Sequence, residues 1–307
     1  MDGILNIYKE KGYTSHDVVA KLRGILRMKR IGHTGTLDPE AEGVLPVCIG
    51  TATRLCDMLT DKVKSYRAVI HFGIATDTED MTGEVIKKLP VAATEEDLKK
   101  CLESFIGTYE QIPPMYSAIK VEGKKLYELA REGKVIERKG RPVTIHSIEL
   151  HSVVTDERKQ LVEADITVIC GKGTYIRSLC RDIGEALGTC ACMYSLLRTK
   201  SGHCELSDSL KLSEVEVLVK KGELEDKILS VEHVFSDCKA FVMKQEWDKL
   251  LLNGNHIPKD TCVVMEKDFK ENSEFPKQWY RAYDSAHRFL GVYEKKGPSF
   301  VPVKMFL

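Results

Sequence analysis

Three short segments carry residue types and spacings suited to chemistry. In Gly32-His33-Thr34-Gly35-Thr36-Leu37-Asp38-Pro39 a carboxylate precedes proline, which disfavours helical geometry at the aspartate and holds it on a turn. A carboxylate held in this way can serve as nucleophile or base. The same residues also fit a helix start, with Asp38 as N-cap, Pro39 at the first helical position, and Glu40 and Glu42 near the positive end. In Cys170-Gly171-Lys172-Gly173-Thr174-Tyr175-Ile176-Arg177 a strand ends, a glycine turn follows, and Tyr175, Leu179, Ile183 and Leu187 begin a helix face. Such a start can receive an anion. No glycine stands at the required distance before Gly171-Lys172, and Gly173 replaces the serine or threonine of a phosphate loop, so nucleotide hydrolysis is disfavoured. Gly73-Ile74-Ala75-Thr76-Asp77-Thr78-Glu79-Asp80-Met81-Thr82-Gly83 is acidic enough to suggest calcium. It lacks the ligand spacing and closing glutamate of a calcium loop, and reads better as a polar turn between strands.

Cys190, Cys192, His203 and Cys204 are metal-binding residue types, but one residue separates the first pair where zinc sites usually have two or more. They read as small buried residues beside Leu187, Met193 and Leu196, and no metal is expected. The ten cysteines are scattered through apolar stretches of a 307-residue chain that is too large to need disulfide staples, which fits reduced thiols in a cytoplasm. Residues 1–8 lack a long apolar core, and nowhere do about 18 apolar residues run uninterrupted, so neither secretion nor membrane insertion is expected.

The elements that must position these segments follow from periodicity. Behind the capping candidates Thr14 and Ser15, Val18, Val19, Leu22, Ile25 and Leu26 fall at helical spacing over 15–26. From Lys64, Tyr66, Ala68, Ile70 and Phe72 share one face of a strand, with Arg67, Val69 and His71 on the other. Residues 98–105 read as a helix, and 143–153 and 163–170 as strands. Without a regular βαβ rhythm the fold class is α+β, with a mixed, mainly antiparallel sheet. After about residue 230, strand-like pieces at 262–266, 279–284, 288–294 and 299–306 predict a small all-β module. The expected domains are therefore 1–229 and 230–307.

Lysine plus arginine equals aspartate plus glutamate, 46 each, so any contact with nucleic acid must come from local clustering of charge. Residues 119–142 supply it: Lys120, Lys124, Lys125, Arg131, Lys134, Arg138, Lys139 and Arg141 outnumber Glu122, Glu128, Glu132 and Glu137. A solvated helix explains many such runs, whereas the nearby Tyr116 and Tyr127 favour nucleic acid.

Taken together, these motifs resemble the bacterial tRNA pseudouridine-55 synthases, the TruB family. The likeness rests on Gly32 to Pro39, Lys64-Ser65-Tyr66-Arg67, Thr76-Asp77-Thr78 with Asp80 and Gly83, and Pro113-Pro114-Met115-Tyr116-Ser117-Ala118 with Lys120 and Gly123. It extends to Gly171-Lys172-Gly173-Thr174-Tyr175-Ile176-Arg177. It covers residues 3–198 well and continues less sharply to Leu252-Asn253-Gly254 and the last strands, which look like the family's small PUA-type RNA-binding domain. One departure is Lys9-Glu10, where the family usually has Lys-Pro.

The resemblance implies a cofactor-free isomerisation of the T-loop uridine at position 55 of tRNA on a flipped-out nucleotide, with Asp38 as the essential carboxylate. It implies that Arg177 pairs with Asp38, which lowers an aspartate pKa, and that Tyr66 stacks on the uracil and assists proton transfer. His33, Tyr175 and Leu196 match positions around the flipped nucleotide. The basic segment 119–142, through Lys120, Lys124, Lys125 and Lys134, is expected to clamp the T-arm stem-loop, with Lys9 as a further RNA contact. A monomer without an obligatory protein partner is the simplest expectation. Two alternatives are a non-catalytic tRNA-binding or tRNA-folding module of the same fold, and a relative that works within a guide-RNA particle. Intact Asp38, Tyr66 and Arg177 argue against the first; the ordinary length and lack of basic tails argue against the second.

Overall fold

The computed structural model of the protein describes residues 1–60, 62–121, 123–265 and 275–307. The chain enters through β1 (Gly3–Lys9) and α1 (Ser15–Leu26). This helix begins where the sequence predicts, because Thr14 and Asp17 form a reciprocal capping box, and it buries Val18, Val19, Leu22 and Leu26. Next come β2 (Ile31–His33), β3 (Glu42–Ile49), α2 (Cys56–Thr60) and β4 (Lys64–Phe72). On β4, Tyr66, Ala68, Ile70 and Phe72 are buried while Arg67 is exposed, so the expected alternation is present.

The polar turn 77–83 joins the hairpin β5 (Ile74–Thr76) and β6 (Val85–Lys88), and α3 (Glu95–Ser104) leads to β7 (Gly107–Gln111). The basic segment is a small hairpin, β8 (Lys120–Val121) with β9 (Lys124–Lys125), followed by α4 (Leu126–Arg131). Its own apolar cluster of Met115, Leu126 and Leu129 holds it together. Glu122 lies outside the described residues. The long β10 (Arg141–Thr155), β11 (Leu161–Cys170), α5 (Ile176–Ala186), β12 (Ala191–Ser201) and β13 (Cys204–Glu205) complete this part.

These strands form a nine-stranded sheet whose main order is β1-β3-β12-β4-β11-β10-β7, with β2 beside β3 and β13 beside β12. Every pairing is antiparallel except β12 with β3, which meet in parallel only at Leu197↔Glu42 and Arg198↔Gly43. The sheet thus consists of two halves joined by a short seam. Gly43, at φ 103°, is required there, because a Cβ would overlap the backbone of Arg198. Each half has its own core: Ile70, Ile166, Val168, Leu179 and Ile183 on one side, and Leu5, Val18, Leu22, Leu45 and Val47 on the other.

Beyond α6 (Leu212–Lys221) and α7 (Val231–Val234) a second sheet is built from β14 (Lys239–Met243), β15 (Ile257–Pro258), β16 (Cys262–Met265), β17 (Trp279–Tyr283), β18 (Phe289–Lys296) and β19 (Ser299–Met305). Its order is β15-β19-β18-β17-β14-β16. The expectation of an all-β module needs correction, since α8 (Asp248–Leu252) lies between β14 and β15 and buries Leu251. Strand β14 escaped the sequence reading because Ala240, Phe241 and Met243 are all buried, which removes the alternation that marks a strand with one wet face. Glu266, at the end of the expected 262–266 strand, lies outside the described residues. The second sheet packs on the first through Ile4, Val44, Phe235, Phe275 and Val292.

The four residues weighed as zinc ligands are separated. Cys192 lies against Met81 near the start of β12, whereas Cys204 sits beyond its far end in a cluster with Cys48 and Val234. Among the described residues no helix is long and apolar enough to cross a membrane.

Candidate active site

Asp38 lies on a turn and not on a helix: Ala41 N–H donates to the Asp38 carbonyl at 3.1 Å and the chain then enters β3. The helix-start alternative is thereby excluded. Two neighbours fix this turn. The Ser15 hydroxyl accepts the Leu37 N–H at 2.9 Å, and the Lys9 ammonium donates to the carbonyls of Glu10, Tyr13 and Pro39 at 3.2, 2.6 and 2.9 Å. Lys9 is fully buried, and burial lowers its pKa to about 8 against the pull of Asp38. Its expected contact with RNA is corrected: every donor of this ammonium is already directed at a backbone carbonyl, and the side chain has no open surface.

Arg177 leaves the first turn of α5 and is 5% exposed. Its Nη2 donates to Asp38 Oδ1 at 3.0 Å and its Nε stands 2.9 Å from Oδ2, a side-on bidentate pair. The guanidinium also donates to the Thr78 carbonyl at 3.0 Å and the Tyr116 carbonyl at 2.9 Å. Three segments distant in sequence therefore hold one arginine against one carboxylate. Asp38 itself keeps 35% of its side chain accessible, and that open side faces a cleft.

The cleft, of about 430 Å³, lies where the two half-sheets diverge and is lined by Asp38, Asp80, Met81, Arg67, Tyr194 and Leu196 among others. That volume falls within the range of small-molecule sites, roughly 300–1,000 Å³. Burial raises the Asp38 pKa above the ordinary aspartate value, Arg177 opposes the shift, and the nearby Asp80 adds to it. The expectation that Arg177 would hold this carboxyl below its usual value is thus corrected: loss of water around Asp38 outweighs the pairing.

Tyr66 is buried on β4, and burial raises its phenol pKa, with Arg198 opposing. Tyr175 is the N-cap residue of α5, half-buried, its pKa likewise raised chiefly by burial. The charge of Asp38 acts on both phenols. His33, at the end of β2, is pushed below the usual imidazole value by burial and by Arg198, so it is neutral near pH 7. Its Nδ1 is buried without a hydrogen-bond partner among the described residues. The structure therefore gathers Asp38, Arg177, Tyr66 and Tyr175, places Leu196 on the cleft wall, and sets His33 on the strand that feeds the Asp38 loop. Lys120 and Lys124 on the separate hairpin are exposed and Lys125 there is half-buried, while Lys134, just past the end of its helix, is exposed.

Sequence reasoning missed several participants. The segment read as a polar turn, and as part of the resemblance but with no role at the site, carries Asp80, whose Oδ2 is 4.0 Å from Arg177 Nε and whose Oδ1 accepts from the Thr78 hydroxyl and from Thr82. It also carries Glu79, paired with Arg181 and with the Ser178 hydroxyl on α5. Arg198, 1% exposed, donates to the carbonyls of Val44 and Gly35 and so ties the seam to the glycine loop before Asp38. The acidic density of 77–80 was the available signal; nothing local marked Arg198.

Residues 23–176 match the TruB family pseudouridylate synthase N-terminal domain, and residues 177–236 the tRNA pseudouridylate synthase B C-terminal domain. The chain is 54% identical over 311 residues to the tRNA pseudouridine synthase B of Lachnoclostridium phytofermentans, with 100% of both chains covered. It is 45% identical to that of Alkaliphilus oremlandii, covering 88% of this chain and 91% of the relative. Among solved structures, a chain of a Cbf5-Nop10-Gar1 complex shares the fold at TM-score 0.70 and 24% identity, over 99% of this chain and 85% of that one. With Asp38 and Arg177 paired at a cleft inside the matched region, this chain belongs to the TruB family of pseudouridine synthases.

Proposed function

We propose that this protein isomerises the T-loop uridine of tRNA, position 55, to pseudouridine, as a tRNA pseudouridine(55) synthase, an intramolecular transferase. The observation that carries the reading is Asp38 gripped by buried Arg177 with its open side on the cleft. The reaction breaks the C1′–N1 bond of the nucleotide and forms C1′–C5; the C5 proton leaves and N1 ends protonated. Nothing is gained or oxidised, so the protein's own groups suffice. Attack on the sugar, attack on the base, and assisted elimination all require an ionised carboxylate, the role of Asp38. Arg177 orients it. The Tyr66 ring stacks on the uracil and its hydroxyl assists proton transfer, while Leu196 supplies an apolar wall and His33 and Tyr175 flank the nucleotide.

Taking the uridine out of its stack costs a few kcal/mol, which contacts elsewhere on the T-arm must offset. Lys120, Lys124, Lys125 and Lys134 provide them on the hairpin clamp, and residues 230–307 act as a PUA-like second RNA contact. The protein works alone, as a monomer in the cytoplasm. The test is pseudouridine formation at the T-loop uridine of unmodified tRNA by the protein and by Asp38→Asn, with no added cofactor. Product from the parent alone supports the reading. Tight binding without product from either moves it to a tRNA-binding module.

A further inference from the structure

At the edge of the first sheet β7 ends on Gln111, which is 1% exposed. A buried primary amide must satisfy both its N–H donors and its carbonyl oxygen. Gln111 Oε1 accepts the Tyr175 N–H at 2.8 Å. Its Nε2 donates to the Tyr175 carbonyl at 3.1 Å and to the Tyr109 hydroxyl at 2.6 Å. The side chain thus grips one residue by both of its backbone polar groups, as a neighbouring strand would.

The gripped residue is the N-cap of α5, and Tyr175 has no side-chain cap of its own. Its carbonyl also takes the first helical hydrogen bond, from Leu179 N–H at 3.0 Å. Arg177 departs from the same turn two residues later. Any drift of the Tyr175 backbone therefore displaces both the Tyr175 ring and the guanidinium on Asp38. The support continues along the helix, because the Tyr109 hydroxyl donates to Asp182 at 3.3 Å and Asp182 binds Arg181.

We propose that Gln111 is a positioning residue for the reaction, holding Tyr175 and Arg177 in register with Asp38 through the Tyr175 backbone. The inference rests on the pseudouridine-synthase reading above. Gln111 touches neither the reacting carboxylate nor the uridine. An amide is needed because one group must accept from N–H and donate to C=O at the same time. Leucine does neither: the Tyr175 N–H loses its acceptor and the Tyr175 carbonyl keeps only the Leu179 N–H. Ionised glutamate accepts but cannot donate, whereas protonated glutamate does both.

The test compares full-length parent, Gln111→Leu and Gln111→Glu in single-turnover pseudouridine formation across pH, with tRNA affinity measured for each. Gln111→Leu is expected to lower kcat by about 100-fold while tRNA Kd stays within about threefold. Its acid limb moves to higher pH, since Arg177 no longer opposes the upward shift of Asp38. Gln111→Glu regains activity relative to the parent as pH falls and its carboxyl becomes a donor, a rescue that simple packing would not give. A folded Gln111→Leu with unchanged kcat and pH profile overturns the proposal, as does a Gln111→Glu defect that is the same at every pH. Should Gln111→Leu fail to fold, the pH dependence of Gln111→Glu decides alone. A parent that forms no product overturns the functional reading and the inference with it, and the parent lane identifies that case.

Discussion

Arg177 meets Asp38 along the whole edge of the carboxylate, Nη2 on Oδ1 and Nε by Oδ2, while its remaining donors reach the Thr78 and Tyr116 carbonyls. Orientation, and not only charge, is what this arrangement supplies. Arg177→Lys keeps the charge but loses the planar fork. It is expected to lower single-turnover kcat by about 100- to 1,000-fold, the size of effect seen when one preorganised donor is removed, with tRNA affinity retained. Activity near the parent's would show that a point charge is enough.

The upward shift of Asp38, led by burial, sets a sign for the pH dependence. The ionised form reacts, so activity is present above the folded pKa and is lost as pH falls through it. The acid limb of kcat should accordingly lie above the range of an exposed aspartate. Asp80 contributes to the shift, so Asp80→Asn should move the limb to lower pH. A limb that stays in place would remove Asp80 from the electrostatics of the reaction.

Lys9 is a structural cation. Lys9→Met removes a donor from three carbonyls; Pro39 and Glu10 keep backbone donors, and although a buried charge is also removed, the loss of the three charge-assisted bonds should dominate. We expect a loss of about 2 kcal/mol, read by denaturant unfolding, with the salt dependence of tRNA binding unchanged. A shallower salt slope would restore Lys9 as an RNA contact.

At the end of α4, Glu132 binds both Lys124 of the hairpin and Lys134, at 3.2 and 2.7 Å. These exposed pairs contribute little to stability but compete with phosphate. Glu132→Gln should therefore tighten tRNA binding several-fold, whereas replacing Lys124, Lys125 and Lys134 together by alanine should weaken binding and flatten its dependence on salt by roughly one unit of slope per lost contact. If neither change alters the slope, the clamp lies elsewhere.

Local signals were legible in the sequence and relational ones were not. The capping box at Thr14, the alternation of β4 and the turn at Asp38-Pro39 each depend on a few adjacent residues, and each is in place. The β14 strand was hidden because both of its faces are covered. Lys9 was misread because a lysine beside a loop looks the same in sequence whether it faces water or three carbonyls. The direction of the Asp38 shift was missed for a similar reason, since the arginine partner is visible as a motif while the dryness of the site is a property of the whole fold. Gln111, 64 residues before Tyr175, carries no local mark at all.

The same long-range closure has a temporal side. Asp38 and Arg177 are 139 residues apart, and the seam at Glu42 and Gly43 waits for Leu197 and Arg198. At synthesis rates of about 5–20 residues per second, a nascent chain carries the Asp38 loop for on the order of ten seconds before the arginine, and then the closing strand, leave the ribosome. The growing polypeptide therefore cannot pair Asp38 with Arg177 or close the seam until most of the chain is made, and the site is assembled late and nearly all at once.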